Sequence, residues 1–511
     1  MKKIITFLFL FIGVVSYSQI NDLASLSSGE FFGFSSVFDK KENLNGYIAL
    51  YNKGKVDEKT IKLEYVYLDK NLNKVSNKEF QTQSSVSDYY ISMDFTGNIQ
   101  LTPQLDYEQM SIFSYGKIVM PDNLLINLKD NTVTKRTTVC YENKSFIECP
   151  DAKSFKELRQ EYKKERKENG MIYESSVTSM VDGTFLVYEY NLEKLKVKNN
   201  AFIKFDKDKK EVWRYEYNKD LEKKQFQYIN VLHFDQKFIY FIEFSEFKKE
   251  NTAKIIKIDL TTGERIIDYP ISDYSNSVLK TLYNLVSGYV AVDNKKEFDD
   301  KLVFVGSLGG NNSETTGYFR MIIDNITNKV SFDKMLFEDA KKYVDIDKYG
   351  NVERGYTLKI RDLYFMKNGS VGLLFEKFKI GVNFFTNSQV VKTTDLVYFN
   401  TDSSFKLNTV KVLSKEKSKN IVSDYLFSQS INEDNDVAFF YRDYLDDSDG
   451  KKNWSLYINS IKNGEFNQEQ IPISSKQNTI LPYVAKEGYI LLREFNKKDK
   501  YNGIRLERLN Y

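Results

Sequence analysis

Histidine and cysteine are scarce in this sequence of 511 residues, which has one histidine and two cysteines. A single histidine excludes a zinc site built from several histidines, and any Ser-His-Asp triad would have to use His233. That residue lies in a strand-like stretch, 231–234, where a structural role is favoured. The sequence also lacks a phosphate-binding glycine loop, a dinucleotide-binding fingerprint and a Gly-x-Ser-x-Gly nucleophile motif. It therefore argues against histidine-based catalysis and predicts no cofactor.

Long apolar runs are also missing, because no stretch reaches the roughly 18 uncharged apolar residues of a transmembrane helix. The first 18 residues are typical of a secretory signal, with Lys2 and Lys3 before the apolar segment 4–15 and a small-residue cleavage site at 16–18. We expect the mature chain to begin at Gln19, as a protein exported to the periplasm or the cell exterior. No cysteine lies directly after the cleavage site to carry a lipid.

An excess of one charge is absent as well, since 74 basic and 71 acidic residues give a formal net charge of +3. A chain this close to neutral has no electrostatic footprint for nucleic acid or anionic lipid. Apolar residues make up 41% of the sequence and aromatic residues 15%, enough to fill a large core. We expect residues 19–511 to form one folded domain.

One hairpin signature returns eight times: an apolar strand that ends in Asp or Asn and is followed by a polar turn. The strand-ending residues are Asp69, Asn127, Asp206, Asp259, Asp324, Asn400, Asn459 and Asn510. Because an Asp or Asn side-chain oxygen can accept from a backbone N–H two residues on, we expect these residues to fix turns and not to bind metal or substrate. The repeats exceed the roughly 40 to 50 residues of common propeller blades, and insertions in loops account for the excess.

A second recurring strand, almost entirely apolar, precedes most of the signatures. Examples are residues 46–51, 183–188, 237–242, 369–375, 436–441 and 488–492. Continuous apolar runs indicate burial on both faces, whereas a sandwich would show alternation. Another strand before each run and a more polar strand after each signature complete a four-stranded unit. The sequence predicts an all-β protein, a β-propeller of eight four-stranded blades, with seven as the alternative because Asn127 is the weakest signature.

The final unit has only three strands, because Tyr511 ends the chain directly after Asn510. We expect residues Ile20 to Leu26 to pair with this last blade as its outer strand. Such pairing would close a ring and protect an otherwise exposed sheet edge.

Two local features interrupt the repeats. Cys140 and Cys149 flank a short predicted hairpin, and in an oxidising compartment we expect a disulfide between them, with free thiols as the alternative. Residues 152–170 place apolar side chains at helical spacing among charged ones and end in Gly170, which predicts one short helical insertion. Insertions map to one face of a repeat protein, often the binding face, so this region is the best candidate for interaction.

The densest carboxylate cluster comprises Asp443, Asp446, Asp447 and Asp449. A calcium loop with its glycine at Gly450 would put Leu445 in the first ligand position and Leu456 in the last, so the match fails. We predict a solvated loop and no metal site. Paired carboxylates elsewhere could still hydrolyse a glycoside without histidine.

The segment Tyr17-Ser18-Gln19, the richness in Lys, Asn, Ile, Phe and Tyr, and the repeated strand, Asp, turn, strand units resemble exported β-propeller-like repeat proteins of flavobacteria and their relatives. The resemblance spans the whole chain and includes no diagnostic motif. Together with the missing motifs, it implies a non-catalytic binding or scaffold protein of the cell envelope, a monomer whose partner is a protein or a carbohydrate. The alternative is a propeller glycoside hydrolase or polysaccharide lyase that uses acidic residues.

Overall fold

In the computed structural model the chain is almost entirely antiparallel β-structure. The structure describes residues 21–509 except 40–42, 95, 106–120, 137–138, 143, 149–154, 170–172, 181–182, 192–199, 220, 223–224, 235–236, 249, 272–289, 293–300, 310–314, 384–387, 420–422, 432–435, 447–451, 463–464, 474–477, 497 and 499–500. Eight sheets with at least four strands lie within these residues. The prediction of an all-β chain of four-stranded units is confirmed at this level.

The sheets are numbered 1 to 8 along the chain. Sheet 1 contains β2 (Glu30–Phe38), β3 (Leu44–Lys55), β4 (Thr60–Asp69) and β5 (Lys74–Gln83), and sheet 2 contains β6 (Val86–Met93), β7 (Ile99–Leu105), β8 (Leu124–Asn127) and β9 (Thr132–Lys135). Sheet 3 contains β12 (Tyr173–Ser179), β13 (Phe185–Asn191), β14 (Ala201–Phe205) and β15 (Glu211–Glu216). Sheet 4 contains β16 (Phe226–Phe234), β17 (Phe238–Phe247), β18 (Glu250–Asp259) and β19 (Arg265–Pro270). A separate hairpin of β10 (Val139–Glu142) and β11 (Ser145–Glu148) lies between sheets 2 and 3 in the sequence.

Sheets 5 to 8 follow the same plan, and sheet 6 is enlarged to six strands. Sheet 5 contains β20 (Val290–Val292), β21 (Lys301–Gly309), β22 (Thr315–Asp324) and β23 (Lys329–Leu336). Sheet 6 contains β24 (Asn351–Val352), β25 (Tyr356–Phe365), β26 (Val371–Asn383), β27 (Ser388–Thr401), β28 (Leu407–Leu413) and β29 (Ser418–Lys419). Sheet 7 contains β30 (Tyr425–Ser430), β31 (Val437–Asp446), β32 (Lys452–Lys462) and β33 (Glu465–Pro472), and sheet 8 contains β34 (Thr479–Val484), β35 (Tyr489–Asn496), β36 (Tyr501–Arg508) and β1 (Asn21–Asp22).

The predicted apolar runs are buried strands in the middle of their sheets. Residues 46–51 lie in β3 and 369–375 in or just before β26, and both strands have neighbours on either side. Tyr47, Leu50 and Tyr51 are at most 1% exposed. The strand that follows a signature is more exposed to solvent than these middle strands, as in β5, where most residues are exposed. A strand covered on both faces must be apolar throughout, so the prediction of burial is confirmed.

Most of the strand-ending Asp residues fix turns, as predicted. The Asp69 side chain accepts hydrogen bonds from the backbone N–H groups of Asn71 (2.8 Å) and Asn73 (2.9 Å). The same arrangement occurs at Asp206, Asp259 and Asp324, and Asn127 accepts from one N–H. Other turns use the same device at Asp39, Asp94, Asp347 and Asp402, which the sequence pattern had missed.

Two of the predicted turn residues do something else. Asn400 lies within β27, and the turn that follows is fixed by Asp402. Asn459 is fully buried inside β32, where its Oδ1 accepts from Gln468 Nε2 at 2.8 Å. Both strands run beyond the predicted turn, so these two predictions were wrong. Asn510 lies outside the described residues.

The start of the described chain contacts its end. Asn21 and Asp22 pair with Ile504 and Gly503 of β36. This outer strand is shorter than the predicted 20–26, because Leu23–Ser25 forms a 3-10 turn that Asp22 caps by accepting from the N–H of Ala24. Clusters of buried hydrophobic side chains join pairs of sheets. These pairs are sheets 8 and 1, 1 and 2, 3 and 4, 4 and 5, 5 and 6, 6 and 7, and 7 and 8.

The helical insertion is confirmed as α1, Phe155–Asn169. Cys140 lies on β10 opposite Ile147 and is disulfide-bonded. Cys149 lies outside the described residues, so its pairing with Cys140 stays a prediction. The signal segment 1–18 is outside them as well. Of the described helices, none is both long and apolar enough to span a bilayer.

Gly263 allows sheets 3 and 4 to pack closely. It has a left-handed φ of +73°, and a Cβ there would lie 2.5 Å from Cγ of Trp213. The indole is buried and donates from Nε1 to the Leu260 carbonyl at 3.0 Å. We expect Gly263→Ala to lower the free energy of unfolding by about 3 kcal/mol, through left-handed strain and overpacking together. Urea denaturation measures the change.

Gly183→Ala is the matched control, because Gly183 has a φ of +80° and no atom within 4 Å of its Cβ position. It should cost about 1 kcal/mol, the left-handed strain alone. Equal losses in the two variants would mean that contact with Trp213 contributes nothing.

Candidate functional site

The two ends of the sheets differ in the connections that they carry. In sheets 1 to 4 and 7 the first and second strands, and the third and fourth, are joined at one end by short turns such as those at Asp39 and Asp69. Equivalent turns join β22 to β23 in sheet 5, β25 to β26 and β27 to β28 in sheet 6, and β34 to β35 in sheet 8. We call this the turn end. The second and third strands are joined at the other end, where the chain also leaves for the next sheet. This loop end carries the long connections, among them 136–172, 217–225, 337–355 and 414–424.

The loop end also presents apolar side chains to solvent. Ile380, Leu445 and Tyr501 are 55%, 59% and 38% exposed, and each lies on a strand segment that reaches this end. Val56, 47% exposed, lies in a loop-end connection. α1 belongs to the connection between sheets 2 and 3 at the same end. Exposed apolar side chains also occur at the turn end, as at Val75 and Ile326, so the long connections are what distinguishes the loop end. Long connections on one face of a repeat protein are typical of a binding face.

Carboxylates recur near the loop end of the second strands, a feature that sequence reasoning missed. They are Glu189, Glu243, Glu376, Asp443 and Glu494. Glu189, Glu243 and Glu376 directly follow an apolar run, and the other two follow one after a single Arg; that position is the signal that could have revealed them. Cations on other strands of the same sheet neutralise several of them: Arg214 lies 3.3 Å from Glu189, Lys254 3.1 Å from Glu243 and Arg505 2.8 Å from Glu494.

Glu376 is the most deeply buried of these carboxylates, with no exposed surface. Its Oε2 accepts from Arg361 Nε of β25 at 2.8 Å and from Ser423 Oγ at 2.7 Å, so it ties sheet 6 to the connection that leads to sheet 7. Its Oε1 lies 3.8 Å from Lys415 Nζ and has no hydrogen-bond partner. A buried carboxylate costs several kcal/mol of desolvation unless cations and donors surround it, which they do here.

Lys415 is the centre of the same cluster. Its side chain is fully buried, and Nζ lies 2.8 Å from Oδ2 of Asp424. The other oxygen of Asp424 accepts from Nε of Arg442 at 3.2 Å. The chain between sheets 6 and 7 is thus held by charge pairs on both sheets. We call Arg361, Glu376, Lys415, Asp424 and Arg442 the charged cluster.

Asp443, one of the four aspartates of the sequence cluster, points into the protein and not into a solvated loop. It is 7% exposed, and its Oδ1 accepts from the N–H groups of Glu416 (3.0 Å) and Tyr444 (2.8 Å). Burial raises the pKa of the Asp443 carboxyl, and the two backbone hydrogen bonds oppose the rise. Asp447 and Asp449 lie outside the described residues.

His233 is half-buried on β16, with its ring centroid 6.3 Å from that of Tyr240 and 6.5 Å from that of Phe304. Within the described residues, no three His, Cys, Asp or Glu side chains are arranged to hold a metal ion. Each charge of the charged cluster has an opposite charge beside it. The cluster can therefore hold the connection between sheets 6 and 7 in place.

Residues 419–510 match the model of a family of unknown function (DUF6770). This segment contains sheet 7 and the three long strands of sheet 8. No curated protein matches the chain. Among solved structures, it is similar to the WD40 domain of SCAP from fission yeast (8% identity, TM-score 0.33, covering 96% of this chain and 97% of that chain).

The β-propeller domain of the Trilobed protease from Pyrococcus furiosus is similar at 10% identity and a TM-score of 0.30, covering 94% of this chain and 97% of that chain. Polysaccharide lyase Uly1 is similar at 8% identity and a TM-score of 0.32, covering 91% and 88%. Similarities this weak assign no activity, ligand or partner to the chain.

Proposed function

We propose that this chain is an exported, non-catalytic β-propeller of eight blades that binds a protein or carbohydrate partner of the cell envelope through its loop end. The difference between the two ends of the sheets carries this proposal. The turn end consists largely of short turns, many of them fixed by Asp side chains, whereas the loop end carries the long connections and α1, and Ile380, Leu445 and Tyr501 are exposed near it. Binding residues concentrate on loops that a rigid scaffold positions. Export rests on the signal-like residues 1–18.

Support for eight blades in a closed ring comes from the eight sheets and from the N-terminal segment. Asn21 and Asp22 hydrogen-bond to β36, and Leu23 packs between sheets 8 and 1 with no exposed surface. Joining the first strand to the last sheet is how an array of sheets avoids an open edge.

Support for a non-catalytic role comes from the charge pairing of the acidic residues. An acid–base pair for glycoside hydrolysis needs one protonated and one ionised carboxyl beside a cleft. Glu189, Glu243 and Glu376 are instead paired with cations. Asp443 has the raised pKa that a general acid needs, so it is the residue on which the alternative, a glycoside hydrolase or polysaccharide lyase, depends.

Loop-end and turn-end variants of residues 19–511 test the proposal. Leu445→Asp and Tyr501→Asp change the loop end, and Ile326→Asp is the matched control, because Ile326 is 68% exposed in a turn-end turn. Envelope proteins and envelope polysaccharides are offered separately to the immobilised chain. We expect one class to bind the wild type and the control, and its affinity to fall at least tenfold in the loop-end variants.

Equal binding by all variants, or binding of neither class, would contradict the proposal. The same polysaccharides are assayed for new reducing ends and unsaturated uronate products. Product formation that is lost in Asp443→Asn would establish the catalytic alternative.

A further inference from the structure

The hairpin of β26 and β27 projects beyond the rest of sheet 6 at the loop end. These strands are 13 and 14 residues long, and β25 pairs with β26 only from Val371 to Phe378. The projecting part is widened on its other side by β29, whose two residues pair with Lys392 and Thr393 of β27. Ile380, on the projecting part of β26, is 55% exposed, so this part of the ribbon is accessible to a partner.

Three lysines lie in one row across this ribbon. Lys379 of β26 is directly opposite Lys392 of β27, and Lys392 is directly opposite Lys419 of β29. Like charges directly opposite each other on neighbouring strands destabilise a sheet. Lys379 Nζ lies 5.8 Å from the centroid of the Tyr356 ring, but no carboxylate among the described residues neutralises either Lys379 or Lys392. A row of like charges that breaks a local rule is expected where a protein serves a function.

The two amines whose positions the structure describes are held apart over glycines. Lys379 Nζ donates to the Arg354 carbonyl at 2.8 Å and lies 3.4 Å from the Cβ position of Gly355. Lys392 Nζ lies 3.7 Å from the Cβ position of Gly381, nearer the tip. Arg354, whose carbonyl holds the Lys379 amine, has an exposed side chain. Because glycines lack side chains, a ligand can approach both amines and the backbone beneath them.

We infer that this row binds an anionic polysaccharide through its carboxylate or sulfate groups. Neighbouring strands are about 4.8 Å apart, so the register places the lysines on adjacent strands, close enough for one extended polymer to contact Lys379 and Lys392 together. A nucleic acid or an anionic membrane would need a broader basic field, and the chain has a formal net charge of only +3. The inference rests on the proposed function and names the chemical class of its carbohydrate.

Binding of defined polymers to residues 19–511 tests the inference. The probes are polygalacturonate for carboxylates, dextran sulfate for sulfates, neutral dextran, a DNA duplex, and vesicles that contain phosphatidylglycerol. We expect the wild type to bind at least one of the two anionic polysaccharides, more weakly as salt increases, and not to bind neutral dextran. Lys379→Gln with Lys392→Gln should lower that affinity at least tenfold.

The matched control is Lys70→Gln with Lys207→Gln, an equal change of charge at exposed turn-end positions. Gly381→Asp is a second test, because it adds a carboxylate beside Lys392 and leaves all lysines in place. It should also abolish binding. Thermal melting distinguishes a loss of binding from a loss of folding. The Lys392→Gln variant should melt no lower than the wild type, because the substitution removes the repulsion between neighbouring lysines.

The inference would be overturned if the wild type bound neither of the two anionic polysaccharides. It would also be overturned if the control variant lost as much affinity as the Lys379→Gln, Lys392→Gln variant, or if the wild type bound DNA or vesicles more tightly than the polysaccharides. If the loop-end variants Leu445→Asp and Tyr501→Asp still lose an envelope partner in that case, the proposed function survives and only the polysaccharide class is wrong.

Discussion

Replacing Leu23 by Ala is expected to lower the free energy of unfolding by about 3 kcal/mol, the cost of removing a fully buried leucine side chain. Leu23 has no exposed surface and packs with Tyr47, Tyr51 and Leu491 between sheets 8 and 1. Its carbonyl also accepts from Tyr51 Oη at 2.6 Å. Deleting residues 19–30 removes all of these contacts and the pairing with β36, so that loss should be larger. Urea denaturation followed by circular dichroism measures both.

Leu445→Ala is the matched control for this prediction, because the same substitution is made at a leucine that is 59% exposed. It should change the free energy of unfolding by less than about 0.5 kcal/mol. Hydrogen exchange adds a spatial test, since loss of the N-terminal segment should expose amides of β36 and β3 first. A Leu23→Ala protein as stable as the wild type would mean that the N-terminal segment does not hold sheets 8 and 1 together.

Replacing Glu376 by Gln is expected to lower the free energy of unfolding by about 4 kcal/mol. The change leaves Arg361, whose side chain is 14% exposed, without its carboxylate, and it leaves the fully buried Lys415 with Asp424 as its anion. A buried charge that loses its partner costs roughly 3 to 5 kcal/mol. A double variant with Lys415→Met should recover part of this loss, because both partners of one pair are then uncharged. The double-mutant cycle measures the coupling between them.

Glu79→Gln is the matched control for the charged cluster. Glu79 pairs with Lys62 at 3.2 Å, and its side chain is 48% exposed. An exposed pair contributes at most about 1 kcal/mol. If Glu376→Gln costs no more than Glu79→Gln, the cluster does not fix the chain between sheets 6 and 7.

The middle strands and most turns could be predicted from the sequence because they obey local rules. A strand with sheets on both faces must be apolar throughout, and residues 46–51 are. Asp69 caps a turn through its own neighbours, which requires no knowledge of distant contacts. Such features repeat wherever the local sequence repeats.

Features that depend on distant partners could not be predicted. Asn459 looks like a turn cap in sequence, but its amide is buried against Gln468 on the next strand. Glu376 ends an apolar run, and only the fold brings Lys415 and Ser423 to it. The row of Lys379 and Lys392 depends on the register of the hairpin, which the sequence left open. In each case the missing information was which strands are neighbours.

The pairing of Asn21 and Asp22 with β36 has a consequence for the order in which the molecule can be completed. During synthesis from the N-terminus, Asn21 and Asp22 emerge long before residues 501–508, with which they pair. Until sheet 8 has formed, Leu23 has only its contacts in sheet 1, without Leu491 and Ile504. A chain truncated before sheet 8 would therefore leave Leu23 and its neighbours in sheet 1 partly uncovered.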